Sequence, residues 1–213
     1  MDRPRHPPVV WRAADATPLG VTCTPDGARF AVVAEADAVR VRLVEPGTRK
    51  VRIVALDPVR GEHLVWMATD DHDLRGWSYT YEIDRGHERL GDIVDPWARL
   101  VREGRGYIVR DATPVTPRPR LEPQDAVIYE LHVRDFTRDP ASGVKPEWRG
   151  KFLGVGQTGT RYEGTEVSTG LDHIIELGVN VVQLMPVHSF ALPYNPEYEW
   201  GYMPNEFFAP HAG

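Results

Sequence analysis

The sequence predicts a multidomain chain: an N-terminal all-β sandwich of immunoglobulin-like kind, followed by a parallel strand–helix–strand unit. Three observations carry this. Apolar and polar residues alternate at period two through the first half of the 213 residues. Four prolines then crowd into ten residues. Beyond them stands a helix with start and stop signals, set between two denser apolar runs.

The first half reads as short strands. Arg29 to Val33, Val39-Arg-Val-Arg-Leu-Val44, Val51-Arg-Ile-Val54 and Trp77-Ser-Tyr-Thr-Tyr-Glu-Ile83 each place apolar residues on one face. Turn chemistry separates them at Pro25-Asp26-Gly27, Glu45-Pro46-Gly47 and Asp84-Arg85-Gly86. Strands at this spacing, without helical periodicity, predict a sandwich over residues 1–112. Pro114, Pro117, Pro119 and Pro123 cannot sit inside a sheet or helix, since each lacks a backbone donor and restrains its neighbour. Residues 113–124 are therefore expected to form a stiff, extended linker.

After the linker, Val127–Val133 is a strand candidate, and Val179–Val187 reads as a strand buried on both faces. Between them Thr169-Gly-Leu-Asp172 resembles a capping box that opens a helix. Its stripe is Leu171, Ile174, Ile175 and Leu177, and Gly178 is placed to end it. About 35 residues separate the first strand from this helix, longer than an ordinary βα loop, which points to a functional segment. Strand, helix and strand make a right-handed βαβ unit spanning 125–213.

Composition narrows the partners. The net charge of −6 is spread along the chain, which disfavours nucleic acid and suits a neutral ligand such as a sugar polymer. No apolar run is long enough to span a membrane, and the first ten residues lack the apolar core of a signal peptide. Cys23 is the only cysteine, so no internal disulfide can form, in keeping with an expected cytoplasmic location. No histidine spacing suggests a metal, and Gly154-Val-Gly156 neither follows a strand nor opens a helix, so no cofactor is expected.

Three segments occur in order: VIYELHVRDF from Val127, GLDHIIELGVNVVQLMPV from Gly170, and YEWGYMPNEFFAP from Tyr198. Together they resemble the start of the catalytic (β/α)₈ TIM barrel in family 13 glycoside hydrolases. The similarity is greatest to the α-1,6-debranching group of type I pullulanases, isoamylases and glycogen-debranching enzymes. The front half is similar to the family 48 carbohydrate-binding module that precedes that barrel. Asp95-Pro-Trp-Ala98 and Gly106-Tyr-Ile-Val-Arg-Asp111 stand where such modules carry closing motifs, and Phe30-Ala-Val-Val-Ala34 replaces the usual tryptophan-containing strand.

The resemblance implies an incomplete barrel (first strand, first helix, second strand) and an α-glucan partner: glycogen, starch or pullulan. It also implies a retaining mechanism with an aspartate nucleophile and a glutamate acid about 5 Å apart. Those groups belong to later barrel strands, so these 213 residues alone are expected to be inactive, with the remaining barrel portion as a further partner. A non-catalytic glucan-binding module, or a truncated gene product, is the competing expectation. The one transferable subsite residue is Tyr202, which in relatives stacks on the sugar at the cleavage point, and its neighbour Trp200 is a further substrate-binding candidate. Met203 stands where relatives often carry Asp or Asn.

Other residues invite chemistry but also read structurally. Glu130 and His132 share a strand face and line a barrel as readily as they could do chemistry. Asp135 is a site candidate, a cap, or an ion-pair partner of Arg134 or Arg138. Asp172 and Glu176 read as a solvated helix face. Trp66, Trp77 and Trp97 could fill a sandwich core or make a sugar platform, with Trp66 and Trp77 the candidates for substrate binding.

Overall fold

The computed structural model describes residues 18–211 apart from 25, 49, 63, 111–113 and 191–198. Pro25 of the first expected turn and Asp111 of the closing motif lie outside the described residues. The chain divides into two compact units, Met1–Thr113 with Asn205–Gly213, and Pro114–Pro204.

The first unit holds β1 (Gly20–Thr24), β2 (Gly27–Val33), β3 (Ala38–Val44), β4 (Val51–Pro58), β5 (Val65–Asp70), β6 (Ser78–Arg85), β7 (Glu88–Ile93), β8 (Val101–Arg102) and β9 (Arg105–Tyr107). Every pairing among them is antiparallel. The hydrogen-bonded path runs β1-β2-β5-β4-β3-β6-β9-β8, with β7 also paired to β6. β4 links the two layers: Val51 to Leu56 pair with β3, whereas Asp57 and Pro58 pair with Met67 and Trp66 of β5. A proline can occupy that last position because it ends the strand and no ladder donor is lost from its middle.

The predicted alternation is the observed burial. Val39, Val41 and Leu43 of β3 are at most 1% exposed and face Phe30 and Val32 of β2, Ala68 of β5 and Tyr79 and Tyr81 of β6 in one core. Tyr79 meets Phe30 and Tyr81 edge-on, with ring centroids 6.2 and 6.0 Å apart. Phe30, where a tryptophan would be usual, fills the centre of this core. The β2–β5 layer is also covered on its other side, where Ala31, Met67 and Val59 form a second small cluster.

Both closing motifs act on this core. Asp95 is fully buried; its carboxylate accepts the Tyr79 hydroxyl at 2.8 Å and the Trp97 amide at 2.9 Å. Gly106 lies under the Tyr79 ring, where an added Cβ would come within 2.6 Å of it. The β8–β9 hairpin turns through Glu103 (φ +50°) and Gly104 (φ +69°), the two-residue geometry whose twist matches the strands.

In the second unit, residues 114–122 are exposed and carry no regular structure, and a 3₁₀ turn covers Pro123–Asp125. β10 (Ile128–Leu131) follows, then α1 (Val133–Thr137), α2 (Phe152–Val155), α3 (Gly170–Glu176), β11 (Val181–Leu184) and β12 (His188–Phe190). β10 and β11 are parallel, with Ile128 beside Val181 and Leu131 beside Leu184. Strand, helix and strand are thus present as expected, though each strand is shorter than its apolar run. Val133 already belongs to α1, and Tyr129 packs edge-on against Phe136 of that helix.

Three expectations need correction here. β11 is not buried on both faces: Ile128, Val182 and Leu184 are 58%, 41% and 42% exposed, because no third strand pairs with β10 or β11 among the described residues. On α3 only Ile174 of the expected stripe is buried, while Ile175 and Leu177 are exposed. The capping box does not form either. Thr169 is the N-cap residue but makes no side-chain cap; its hydroxyl donates to the Ser142 carbonyl, and Asp172 is drawn to the preceding loop. Gly178 does end α3, at φ +78°, with its amide on the Ile175 carbonyl.

The last strand, β13 (Pro204–Pro210), lies almost wholly in the segment grouped with the first unit, and its Ala209 is fully buried in the sandwich core. The sequence had assigned all of 125–213 to the second unit. No described helix is long and apolar enough to cross a membrane.

Candidate functional site

The long segment between β10 and α3 is folded by its own polar groups. Thr137 is fully buried at the end of α1, and its hydroxyl accepts the Gly150 amide at 2.8 Å. Gly154 must lack a side chain, since a Cβ would stand 2.4 Å from the Trp148 carbonyl oxygen. The buried Thr160 hydroxyl donates to the Thr169 carbonyl at 2.9 Å, just before α3. Asp172 accepts the Gly159 amide at 2.6 Å, and Ser168 donates to Glu176. Asp172 and Glu176, expected as a solvated face, anchor this loop to the helix. The sequence signal was there in the Gly- and Thr-rich stretch before them, whose backbone donors need local acceptors.

Polar residues also register the parallel strands. The Asn180 side chain accepts the Val127 amide at 2.8 Å and donates to the Asp125 carbonyl at 2.9 Å, clasping the starts of β10 and β11. Glu130 lies opposite Gln183 and accepts its amide at 3.2 Å, so it is engaged in the strand pair. His132 caps the strand end, with its Nδ1 at 3.2 Å from the Asp135 carboxylate. Asp135 thus turns toward His132 at the mouth of α1. Among the described residues no group of His, Cys, Asp or Glu could hold a metal ion.

Past β11 the chain reaches the candidate aromatic pair. The Met185 amide still bonds the Leu131 carbonyl at 2.9 Å, extending the parallel ladder to the residue before Pro186. Gly201 rests on Pro186 and is buried, while Trp200 and Tyr202 on either side of it are 54% and 60% exposed. Met203 follows, also exposed. An exposed phenol and indole one residue apart offer apolar faces to C–H surfaces and polar edges to hydroxyls.

The two front-domain candidates belong to the other unit and differ from this pair. Trp66 is 9% exposed, packs in the sandwich core and donates its indole N–H to the Ala34 carbonyl at 3.0 Å. This corrects the platform reading for Trp66, because an indole only 9% exposed within the core has no open face to stack on a sugar. Trp77 is half-buried against the same core, and the Ile108 amide bonds its carbonyl at 2.9 Å. Trp97 covers Gly20, whose φ of +88° and missing Cβ let the two backbones meet. Trp200 and Tyr202 are both exposed on either side of Gly201, whereas Trp66 is enclosed in the core.

Among the described residues electrostatics mark no reactive group in either unit. Burial raises the Asp95 carboxyl and pushes Tyr79 and Tyr81 well above the ordinary phenol range. The adjacent Arg75 guanidinium lowers Asp73 to about 2. Two arginines, Arg40 and Arg89, hold Asp84 well below the carboxylate range at the end of β6. A shallow polar recess lined by Cys23, Asp26, Asp73, Arg75 and Arg110 has neither an aromatic face nor a net charge to select a ligand. Burial raises the Cys23 thiol, so it is held in its unreactive form.

No family model matches the chain. It is similar to the pullulanase of Bacillus subtilis, with 36% identity over 205 residues that cover 91% of this chain and 27% of that protein. It is also similar to isoamylase SU1 of maize, at 31% identity over 92% of this chain and 28% of the relative. The glycogen operon protein GlgX homolog of Mycobacterium tuberculosis is 28% identical over 96% of this chain and 33% of its own length. Among solved structures, type I pullulanase of B. subtilis complexed with maltose superposes with a TM-score of 0.78, at 34% identity over 91% of this chain and 28% of that one. Pullulanase of Paenibacillus barengoltzii complexed with maltohexaose and α-cyclodextrin gives 0.78 at 33% identity over 92% and 32%. The chain therefore spans between about a quarter and a third of the length of the relatives it matches.

Proposed function

We propose, for a chain that belongs by sequence and fold with the N-terminal region of the α-glucan debranching enzymes of glycoside hydrolase family 13, that it is the first part of such an enzyme. The reaction is hydrolysis of α-1,6 O-glycosyl branch bonds in glycogen, starch or pullulan. The observation that carries the reading is a similarity that covers 91% of the chain and so runs through both units at once.

In this reading residues 1–112 are a carbohydrate-binding-module-like sandwich, 113–124 a linker and 125–213 the opening of a (β/α)₈ barrel. β10, α3 and β11 stand as its first strand, first helix and second strand. The exposed Ile128, Val182 and Leu184 support that placement, since a barrel strand has neighbours on both edges and cover on both faces. The remaining barrel, from further polypeptide or a partner chain, supplies that cover together with the nucleophile and acid. Tyr202 is the substrate contact this chain brings: its ring covers the C–H face of a glucose unit, with Trp200 beside it.

Two assays test the reading. In a glycogen-containing native gel the chain is expected to be retarded, and less so with Tyr202→Ala; equal mobility with and without glycogen refutes the glucan contact. Reducing-sugar release from pullulan by the chain alone is expected at background, and clear release overturns the assignment of the carboxylates to later strands. A non-catalytic glucan-binding module is the second reading, favoured by the sandwich's closed core. The readings separate on co-expression with the later barrel strands of a related pullulanase: recovered hydrolysis supports the enzyme, binding without hydrolysis the module.

A further inference from the structure

Gly201 separates the exposed pair Trp200 and Tyr202 and is itself buried. Its φ is +84°, a backbone region that residues with a Cβ enter only at a cost. A second constraint meets it there. A Cβ on Gly201 would stand 2.6 Å from the Pro186 carbonyl oxygen and 3.3 Å from the Pro186 Cβ. The obstacle is backbone rather than the loose end of a side chain, and it is anchored. Met185, one residue earlier, is hydrogen-bonded to Leu131 of β10, which is only 4% exposed. Any side chain at 201 must therefore lift the turn away from the strand end.

We propose that Gly201 is a positioning residue that seats the Trp200–Tyr202 pair on the end of β11, so that Tyr202 meets a pyranose ring at a fixed height above the strand. This rests on the glucan-subsite reading of Tyr202. Gly201 makes no sugar contact of its own; it sets where its neighbours stand. Gly178 offers an internal contrast. It has a similar φ of +78°, but nothing lies within 4 Å of the Cβ it lacks. Backbone strain is thus common to both glycines, and the close seat belongs to Gly201 alone.

The test uses the full chain labelled with 5-fluorotryptophan, whose six tryptophans give separate fluorine signals, Trp200 being identified by its loss in Trp200→Phe. Spectra are recorded without sugar and through a maltotriose titration, with unfolding followed in parallel. Gly201→Ala is expected to move the Trp200 signal without sugar, leave the other five in place, and weaken the maltotriose response about tenfold, the loss of about 1.4 kcal/mol of ring contact. Gly178→Ala is expected to leave the Trp200 signal where it is. If Gly201→Ala leaves both the sugar-free signal and the titration unchanged, the proposal is overturned; it is equally overturned if Gly178→Ala moves Trp200 as far. If the parent shows no response to maltotriose, the subsite reading fails, and the sugar-free spectra alone decide the seat. Should Gly201→Ala disturb all six signals, Pro186→Gly decides. That variant keeps the carbonyl but frees the backbone angle the proline ring fixes, so Trp200 is expected to shift or broaden with Gly201 intact, and an unchanged signal refutes the seat.

Discussion

Removing the hydroxyl of Tyr79 is the sharpest test of how the sandwich is closed. That hydroxyl donates at 2.8 Å to Asp95, whose carboxylate is fully buried and has the Trp97 amide as its other donor. Tyr79→Phe keeps the edge-on contacts with Phe30 and Tyr81 and the ring lying over Gly106, so only the donor is lost. A buried acceptor stripped of one hydrogen bond costs about 1–3 kcal/mol, with charged groups at the upper end, so we expect about 2 kcal/mol at pH 7. At a typical urea dependence for a unit of this size, that moves the midpoint by about 1 M.

The pH dependence gives the test its direction. Burial raises the Asp95 carboxyl above its unfolded value, so its contribution to stability is fully present below the unfolded pKa and lost as pH rises through the folded one. The Tyr79 hydroxyl favours the ionised form and limits that loss. Without it the loss deepens, so the gap between parent and Tyr79→Phe should widen from pH 4 to pH 7. Urea unfolding followed by tryptophan fluorescence at both pH values measures it. A gap that is equal at the two pH values, or below about 0.5 kcal/mol at pH 7, refutes the account of Asp95 as a carboxylate held by two donors.

Gly106→Ala forces a Cβ into the Tyr79 ring and should destabilise the sandwich by about 1–3 kcal/mol, read as a thermal shift. Trp66→Ala should cost about 3–5 kcal/mol of stability, and at a temperature where it stays folded its retardation by glycogen should match the parent's. Asp172→Ala strips the Gly159 amide of its acceptor and should speed proteolytic cleavage between residues 156 and 168 while leaving the sandwich transition in place. Residues 125–213 expressed alone should be aggregation-prone, because β10 and β11 present unpaired edges with exposed Ile128, Val182 and Leu184; a soluble monomer with a sharp thermal transition would count against this. In the intact chain Leu184→Lys should improve soluble recovery and leave stability within about 0.5 kcal/mol, since that side chain is already 42% exposed.

Local patterns were good guides where one strand or turn decides its own state. The alternation in Val39–Val44 set which residues enter the core, and Gly178 ended its helix, because both depend on the two-residue and left-handed geometries built into the backbone. They failed where a distant group competed. Asp172 had the spacing of a capping residue, yet a loop amide thirteen positions earlier took its carboxylate. Trp66 could by its sequence fill a core or make a platform, and strand pairing with β2 and β4 decided for the core.

Sequence by itself determined the two textures, the proline break between them, the debranching-enzyme resemblance and the Trp200–Tyr202 pair. Each is a matter of residue order or of chain-local stereochemistry. Only the tertiary structure decided that Asp95 and Tyr79 close the core together, that β11 lies open along its apolar side chains, and that Gly201 must be bare because Pro186 stands against it. Those facts depend on residues sixteen, fifty-three and fifteen positions apart being brought within bonding or contact distance, and packing sets such distances where no local period can.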